Sequence, residues 1–258
     1  MTDEDLLNLA VAIAVEAGDL LLERFQSDAT GIETKSTPTD LVSDADRDSE
    51  TLVLDRIRAA RPDDGVIAEE SDQQLSRSGV TWIIDPLDGT VNFLFGIPVW
   101  AVSIAIHDAT GPLMGVVHDP NRKETFAAQR GLGAKLNEGT VAVSTRDDIS
   151  TALVGTGFSY EAATREAQAA RIPEILPRVR DLRRAGSAAI DLAWLACGRL
   201  DGFYEAPMKL WDRAAGEILI SEAGGMVTSL PAPFDADEGV IASGPALHDQ
   251  LKALVLGS

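Results

Sequence analysis

Cysteine and histidine are both scarce in this sequence. The chain of 258 residues has a single cysteine, Cys197, and three histidines that lie far apart, His107, His118 and His248. One cysteine excludes an internal disulfide, and the cytoplasm is therefore the expected compartment. The scattered histidines suggest neither a zinc cluster nor an evident Ser-His-Asp triad.

Long apolar runs and a basic N-terminus are also missing. No segment of about 18 consecutive apolar residues occurs, so we expect no membrane span. Residues Met1 to Asp5 are acidic overall, whereas a secretory signal peptide starts with positive charge.

Basic residues are few relative to acidic ones. Lysine and arginine together number 22 against 41 aspartates and glutamates, which gives a formal net charge of −19. This charge argues against a surface for nucleic acid or anionic membrane. It would also repel a phosphate ester, unless bound cations reversed the local field.

The sequence is organised around the stretch from Trp82 to Gly96. Residues 80–84 are β-branched, aromatic and apolar and predict a buried strand. We expect this strand to end at Asp85, because Pro86 removes a donor from the strand ladder. Residues 88–90 follow in a turn that opens a short helix.

Two carboxylates, Asp85 and Asp88, lie three residues apart at this strand exit. Burying them is costly unless a positive charge lies between them, and Mg²⁺ prefers carboxylate and carbonyl oxygens. Gly89 lets backbone amides approach an anion. The stretch thus predicts a metal site beside a phosphate site, although this motif alone favours an acidic turn without chemistry.

The two halves of the chain differ in their pattern of predicted secondary structure. Two helices begin the chain, joined by a polar segment over 26–38 that is predicted to be a loop carrying Lys35, and an antiparallel meander follows. The second helix is capped by Ser43, in capping-box spacing from Asp46. From residue 149 strands and helices alternate, which is typical of layered α/β structure. We expect an N-terminal half (1–147) with the metal motifs and a C-terminal half (148–258) that completes one compact catalytic unit.

Acidic residues stand where predicted strands end or helices begin. They are Asp46, Glu69, Glu70, Asp85, Asp88 and Asp212. For Asp212 alone, at the start of a small-residue helix, a helix cap is the preferred interpretation.

Four motifs resemble, in order and spacing, the signatures of the inositol monophosphatase family. They are Lys35 with D-L-V-S-D-A-D at 40–46, E-E-S at 69–71, W-I-I-D-P-L-D-G-T-V-N-F at 82–93 and W-D-R-A-A-G at 211–216. The likeness extends to 156–158, 184–189 and 224–225, and so covers nearly the whole chain. A lone D-G-T would be weak, but four ordered motifs are specific.

The resemblance implies a layered α-β-α-β-α fold of the α/β class. It also implies a Mg²⁺-dependent, lithium-sensitive phosphomonoesterase that is usually a homodimer and binds two to three ions per subunit. Carried over by motif, Glu69, Asp85 and the carbonyl of Leu87 would hold the first ion. Asp85, Asp88 and Asp212 would hold the second, and Glu69 a third, weaker one.

The same resemblance assigns the water and phosphate contacts. Thr90 and Asp46 would orient the attacking water, and the amides of Gly89 and Thr90 would bind phosphate. Glu70 is not expected to be a metal ligand. Lys35 could close over the site or be a solvated surface lysine.

The identity of the substrate is less constrained. Glu205, Gly186, Ser187 and Ala188 match segments that contact the polyol, and inositol 1-phosphate is the preferred substrate. An acid at position 205 could equally pair with an amino alcohol, so L-histidinol phosphate stays open. Lys209 could favour a second anionic group, which keeps fructose 1,6-bisphosphate and 3′-phosphoadenosine 5′-phosphate open.

Two functions from other classes compete with hydrolysis. One is a regulatory binding protein that keeps the fold without turnover, and the other is a cation site that only stabilises the domain. Neither role requires the water-activating pair Asp46 and Thr90. Arg183 and Arg184 are either polar anchors for the substrate or partners in structural salt bridges.

Overall fold

The helices and strands form alternating layers around two β-sheets. The structure is a computed structural model and describes residues 1–25, 32–34, 41–230 and 239–257. Within them the helices are α1 (Asp3–Phe25), α2 (Asp44–Ala60), α3 (Thr90–Leu94), α4 (Ala162–Ile175), α5 (Ala188–Ala196), α6 (Leu210–Glu222) and α7 (Pro245–Leu256). The strands are β1 (Glu33–Thr34), β2 (Leu41–Val42), β3 (Gly65–Ala68), β4 (Thr81–Asp88), β5 (Ala101–Asp108), β6 (Gly111–Asp119), β7 (Glu124–Gln129), β8 (Gly133–Leu136), β9 (Gly139–Val141), β10 (Leu153–Thr156), β11 (Asp181–Arg183), β12 (Gly202–Glu205), β13 (Met226–Leu230) and β14 (Gly239–Ser243).

The first sheet follows the chain order from β3 to β9. Strands β3 and β4 are parallel, and every later pair is antiparallel. The predicted meander is therefore confirmed. The parallel pair places the carboxyl ends of β3 and β4 at the same edge of the sheet, which brings Glu69 towards the acids that end β4.

The second sheet has the order β11-β10-β12-β14-β13. Its strand β10 is parallel to both of its neighbours, whereas β12, β14 and β13 pair antiparallel. Strands β10 and β12 end at Thr156 and Glu205, which brings both residues to one end of this sheet.

Three apolar cores hold five layers together. Helices α1 and α2 pack on one face of the first sheet, and α5 and α6 lie between the two sheets. Residues of α4 and α7 cover the outer face of the second sheet. The predicted α-β-α-β-α layering is confirmed. The division at residues 147 and 148 stays a prediction.

The first two helices are defined by their caps and apolar stripes. The backbone amide of Asp5 donates to Thr2 Oγ1 at 3.1 Å, which caps α1. Ser43 precedes α2, and its backbone amide donates to Asp46 Oδ2 at 2.8 Å, the reciprocal half of a capping box. None of the helices in the described parts of the chain combines the length and apolar character needed to cross a bilayer.

Two predictions on the N-terminal half were wrong. Strand β4 does not stop at Asp85 but continues through Pro86 to Asp88. Its pairing with β5 shifts register between Asp85 and Asp88, and at such an irregularity a proline costs no ladder hydrogen bond. The segment 26–38, predicted as a loop, contains strand β1, which pairs with β2.

The alternation of strands and helices predicted from residue 149 is also present, from β10 to α7. Trp82 and Trp100 are fully buried, and Trp194 and Trp211 pack partly buried against the core between the sheets. All four tryptophans are therefore core residues.

Candidate active site

The exit of β4 gathers backbone and side-chain oxygens at one place. Asp85 is buried, and its Oδ1 accepts a hydrogen bond from the amide of Leu87 at 3.1 Å. The carbonyl of Leu87 in turn lies 3.1 Å from Thr90 Oγ1. The irregular register between Asp85 and Asp88 frees this short segment from the sheet ladder. Its oxygens can therefore face a ligand.

Glycine is the one residue type that fits at position 89, in the turn into α3. Its φ of 100° lies in the left-handed region, and a Cβ there would come within 2.9 Å of the Val99 carbonyl. Both the backbone conformation and the lack of space exclude a side chain. The predicted role of the Gly89 and Thr90 amides in phosphate binding stays a prediction.

A threonine–aspartate pair links α3 to the first turn of α2. Thr90 Oγ1 lies 2.9 Å from Asp46 Oδ1. The second oxygen, Asp46 Oδ2, accepts hydrogen bonds from the Ser43 amide at 2.8 Å and the Ser43 hydroxyl at 2.6 Å. Asp46 has no solvent exposure, so its carboxylate is held in a fixed orientation against Thr90.

Four further acids form an electrostatically coupled cluster. Burial raises the pKa of Asp85 well above its usual range, and repulsion by Glu69, Asp88 and Asp212 raises it further. Burial likewise raises the pKa of Asp212, with repulsion from Asp88 and Glu69. Mutual repulsion of this kind requires that the four carboxylates lie close together.

Asp212 reaches the cluster from the other half of the chain. It lies in the first turn of α6, and its Oδ2 accepts a hydrogen bond from the Lys209 amide at 2.7 Å. Asp212 therefore completes the capping box at the start of α6, with Lys209 as the N-cap residue, and its role as a metal ligand stays a prediction.

The donor set suits a hard divalent cation. Glu69, Asp85, Asp88 and Asp212 supply carboxylates and Leu87 a carbonyl, all of which are oxygen ligands that Mg²⁺ prefers. A cation would also relieve the repulsion that raises these pKa values. Among the described residues, no three His, Cys, Asp or Glu side chains are already arranged around a common metal position, so the acids form a cluster and not a preformed coordination shell.

Asp88 also joins the two halves of the site. Its Oδ2 accepts hydrogen bonds from the Ser187 hydroxyl and from the Ala189 amide, the latter at 2.7 Å. Burial raises the pKa of Asp88, and the hydrogen bonds from Ser187 and Ala189 oppose that rise. Ser187 was predicted to contact substrate, and in the structure its hydroxyl holds a predicted metal ligand.

The predicted substrate residues line one small cavity with two of the acids. The cavity has a volume of about 80 Å³, and its predicted members are Asp88, Gly186, Ser187, Ala188, Glu205 and Asp212. Burial raises the pKa of Glu205 to about 8, with a further contribution from Asp191. Gly157 makes room for Glu205, because a Cβ at position 157 would lie 2.0 Å from the Glu205 carboxylate.

Four residues that line this cavity had no predicted role or an ambiguous one: Thr156, Gly157, Arg184 and Asp191. The first three lie in segments that carry the family likeness, whereas Asp191 lies outside them. Arg184 belongs to the site, whereas Arg183 is bonded to Asp181 at an exposed position. Asp191 lies in an Ala- and Leu-rich stretch, and an acid inside such a stretch was the one available signal.

Two other sequence predictions fall outside this geometry. Lys35 lies outside the described residues, so its proposed closure over the site stays a prediction. The amide of Glu70 donates to Glu50 Oε2 at 2.8 Å, which ties the segment after β3 to α2.

Comparisons with known proteins agree with this arrangement. The model of the "Inositol monophosphatase family" matches residues 2–256. The chain is 41% identical over 232 residues to inositol-1-monophosphatase SuhB of Mycobacterium tuberculosis, which covers 86% of this chain and 80% of that protein. It is also 41% identical over 237 residues to Nus factor SuhB of Xylella fastidiosa, which covers 90% of this chain and 86% of that protein.

The fold has close counterparts among solved structures. The crystal structure of the extragenic suppressor protein suhB from Bartonella henselae superposes with a TM-score of 0.91 at 35% sequence identity. The match covers 98% of this chain and 100% of that chain. The similarity thus includes both sheets and every layer described above.

Proposed function

The chain belongs to the inositol monophosphatase family, and from that premise we propose that it is a Mg²⁺-dependent phosphomonoesterase of small polyol phosphates. Inositol 1-phosphate is the proposed substrate. The observation that carries this proposal is the contact between Thr90 Oγ1 and Asp46 Oδ1 at 2.9 Å, at the margin of a cluster of acids. A hydroxyl that is hydrogen-bonded to a buried carboxylate can accept a proton and pass it on. Neither a binding role nor a structural cation site requires such proton transfer.

The metal ligands are proposed to be the four clustered acids and one carbonyl. Glu69, Asp85, Asp88, Asp212 and the Leu87 carbonyl would hold two to three Mg²⁺ ions. Bound there, the ions would acidify a water molecule and stabilise the oxygen of the leaving group.

The chain's own contribution to the chemistry is proton transfer. Thr90 Oγ1 accepts a hydrogen bond from the attacking water and, as the water loses its proton to Oγ1, the hydroxyl proton passes to Asp46 Oδ1. Ser43 keeps Asp46 oriented for this transfer through two hydrogen bonds to the other carboxylate oxygen. The Gly89 and Thr90 amides are proposed to hold the phosphate.

Recognition of the leaving group is assigned to the cavity residues that are not proposed metal ligands. Glu205 would accept a hydrogen bond from a polyol hydroxyl, with Gly186, Ser187 and Ala188 forming the adjoining wall. Lys35 is proposed to close over the site. Inhibition by lithium is a further expectation from the family. A homodimer is also expected, and the mass of the protein in solution tests it.

A regulatory role is the competing proposal from another class. Some relatives carry the name Nus factor SuhB and others the name inositol-1-monophosphatase. The intact pair of Asp46 and Thr90 favours catalysis in this chain, because a protein released from turnover does not need a buried acid behind an active-site hydroxyl.

Phosphate release at fixed Mg²⁺ tests the proposed function. The esters are inositol 1-phosphate, L-histidinol phosphate, fructose 1,6-bisphosphate and 3′-phosphoadenosine 5′-phosphate, each with and without EDTA. We expect inositol 1-phosphate to lead in kcat/KM by about a hundredfold, which corresponds to about 2.7 kcal/mol of transition-state discrimination. Release that EDTA does not abolish, or no release from any ester, would contradict the proposal.

A further inference from the structure

Asp191 is a buried acid in the substrate cavity that the chemistry described so far does not use. It lies in the first turn of α5 with 1% of its surface exposed, and it lines the cavity together with Asp88 and Glu205. Its Oδ1 atom is buried without a hydrogen-bond partner. A buried, unpartnered carboxylate oxygen is costly, so its presence at a cavity wall needs a cause.

Two buried acids elsewhere in the described part of the chain are hydrogen-bonded through both carboxylate oxygens. Asp64 is as deeply buried, and it accepts hydrogen bonds from Arg61, Ser78 and Trp82. Asp201 is likewise buried and accepts from the Ser144 hydroxyl and the Leu153 amide. Asp191 differs from these acids, since one of its oxygens is left for a group that the protein itself does not supply.

The charges around Asp191 indicate what kind of group that is. The titratable and charged residues that line the cavity are Asp88, Arg184, Asp191, Glu205 and Asp212. Asp88 and Asp212 are proposed metal ligands, which leaves Asp191 and Glu205 as two acids opposite a single guanidinium. A leaving group that enters here meets two acceptors, so it must offer hydrogen-bond donors.

We propose that Asp191 is a specificity-determining residue that accepts a hydrogen bond from a hydroxyl of the leaving polyol, so that Asp191 and Glu205 together bind two hydroxyls of one substrate. This inference rests on the proposed phosphomonoesterase function. A polyol satisfies Oδ1 of Asp191 without bringing in another charge. Esters that carry a second phosphate are disfavoured, because that phosphate would be placed against two buried acids.

The test compares a substrate that has hydroxyls with one that has none. The kcat/KM values for inositol 1-phosphate, L-histidinol phosphate and p-nitrophenyl phosphate are measured at the same Mg²⁺ concentration. The proteins are the wild type and the variants Asp191→Ala, Asp191→Leu and Asp191→Asn. Asp201→Asn is the control, because it also removes a buried carboxylate but lies outside the cavity. Thermal unfolding of each variant shows whether the fold is retained.

We expect Asp191→Ala to lower the ratio of kcat/KM for inositol 1-phosphate to kcat/KM for p-nitrophenyl phosphate by ten- to a hundredfold, with p-nitrophenyl phosphate hydrolysis nearly unchanged. Asp191→Asn keeps an acceptor oxygen and should retain most of the ratio. Asp191→Leu removes both acceptor oxygens and should lower the ratio as the alanine variant does, so it carries the test if Asp191→Ala does not fold. Free inositol should inhibit p-nitrophenyl phosphate hydrolysis less strongly in Asp191→Ala than in the wild type. Asp201→Asn should leave the ratio and the inhibition as they are.

Three results would overturn the inference. An equal loss with both substrates would mean that Asp191 only supports the fold of the site, and an unchanged ratio would mean that it does not contact the leaving group. A loss confined to L-histidinol phosphate would assign Asp191 to an ammonium group instead of a hydroxyl. Absence of metal-dependent phosphate release from every ester by the wild-type protein is a different outcome, since it refutes the proposed function itself.

Discussion

Thr90 and Asp46 are 44 positions apart in the chain, yet their Oγ1 and Oδ1 atoms lie 2.9 Å from each other. The contact depends on two helix starts, because Asp46 belongs to the first turn of α2 and Thr90 opens α3. The capping interaction between Ser43 and Asp46 therefore does two things. It fixes the start of α2, and it aims the carboxylate at the hydroxyl that is proposed to take the proton from water.

Replacing Thr90 tests this pair directly. Thr90→Ala should lower kcat by about a hundredfold or more, the usual range for loss of a general-base route, with little change in the Mg²⁺ concentration for half-maximal activity. Thr90→Ser keeps the hydroxyl and is the matched control. Steady-state kinetics over a Mg²⁺ series measures both quantities, and a wild-type kcat in Thr90→Ala would exclude the role in water activation.

Replacing Asp88 tests the acidic cluster. Asp88→Asn removes one of the repelling charges, so in EDTA its Tm should be above that of the wild type, while kcat with Mg²⁺ should fall by about two orders of magnitude or more. Its amide oxygen can still accept from Ser187 and Ala189. Asp63→Asn, at an exposed position, is the control. Calorimetry with and without Mg²⁺ checks the first expectation, and near-normal turnover would remove Asp88 from the proposed ligands.

Glu205 should make the metal-free protein less stable as the pH rises. Its pKa is raised from 4.5 to about 8 by burial, so between these values the folded state holds a proton that the unfolded state has lost. Stability then decreases as the pH increases across that window. Glu205→Gln should remove this decrease, and its Tm advantage over the wild type in EDTA should grow from pH 5 to pH 8. Thermal unfolding of both proteins over this pH range measures the difference. Glu138→Gln, at an exposed position, is the control. A Tm difference that stays constant with pH would contradict the raised pKa of Glu205.

Gly157 should matter for substrate recognition more than for folding. A Cβ at this position meets the end of the flexible Glu205 side chain, which can move without disturbing the core. Gly157→Ala should therefore lower kcat/KM for inositol 1-phosphate by about tenfold or more, with a small change in Tm. Gly139→Ala, where a Cβ meets ordinary contact distances, should change neither. Unaltered kinetics in Gly157→Ala would show that the position of Glu205 is not critical.

The acids of the cluster could be predicted because local patterns mark the ends of strands and helices. Asp85 and Asp88 come directly after a continuous apolar run, and Asp212 opens a small-residue helix, so the end of an apolar run and the start of a helix mark their places in the sequence. The family resemblance then related them to one another, and the electrostatic coupling of Asp85, Asp88, Glu69 and Asp212 agrees with that relation.

Asp191 could not be predicted in the same way, because its role depends on which face of α5 meets the cavity. One acid in an apolar helix does not reveal whether it is partnered, as Asp64 is, or left open. The continuation of β4 through Pro86 escaped prediction for a similar reason. Only the pairing partner shows that the register shifts at Asp85, and a single strand carries no signal of its neighbour's register.

The hydrogen bonds from Ser187 and Ala189 to Asp88 have a consequence for the order of folding. Helix α5 has nine residues, too few to be stable alone, and part of its N-terminal hydrogen bonding comes from a residue about a hundred positions earlier in the chain. We expect α5 to become ordered only after the end of β4 has formed. Asp85 and Asp88 are then already neighbours on β4, and Asp212 joins them when α6 packs against α5.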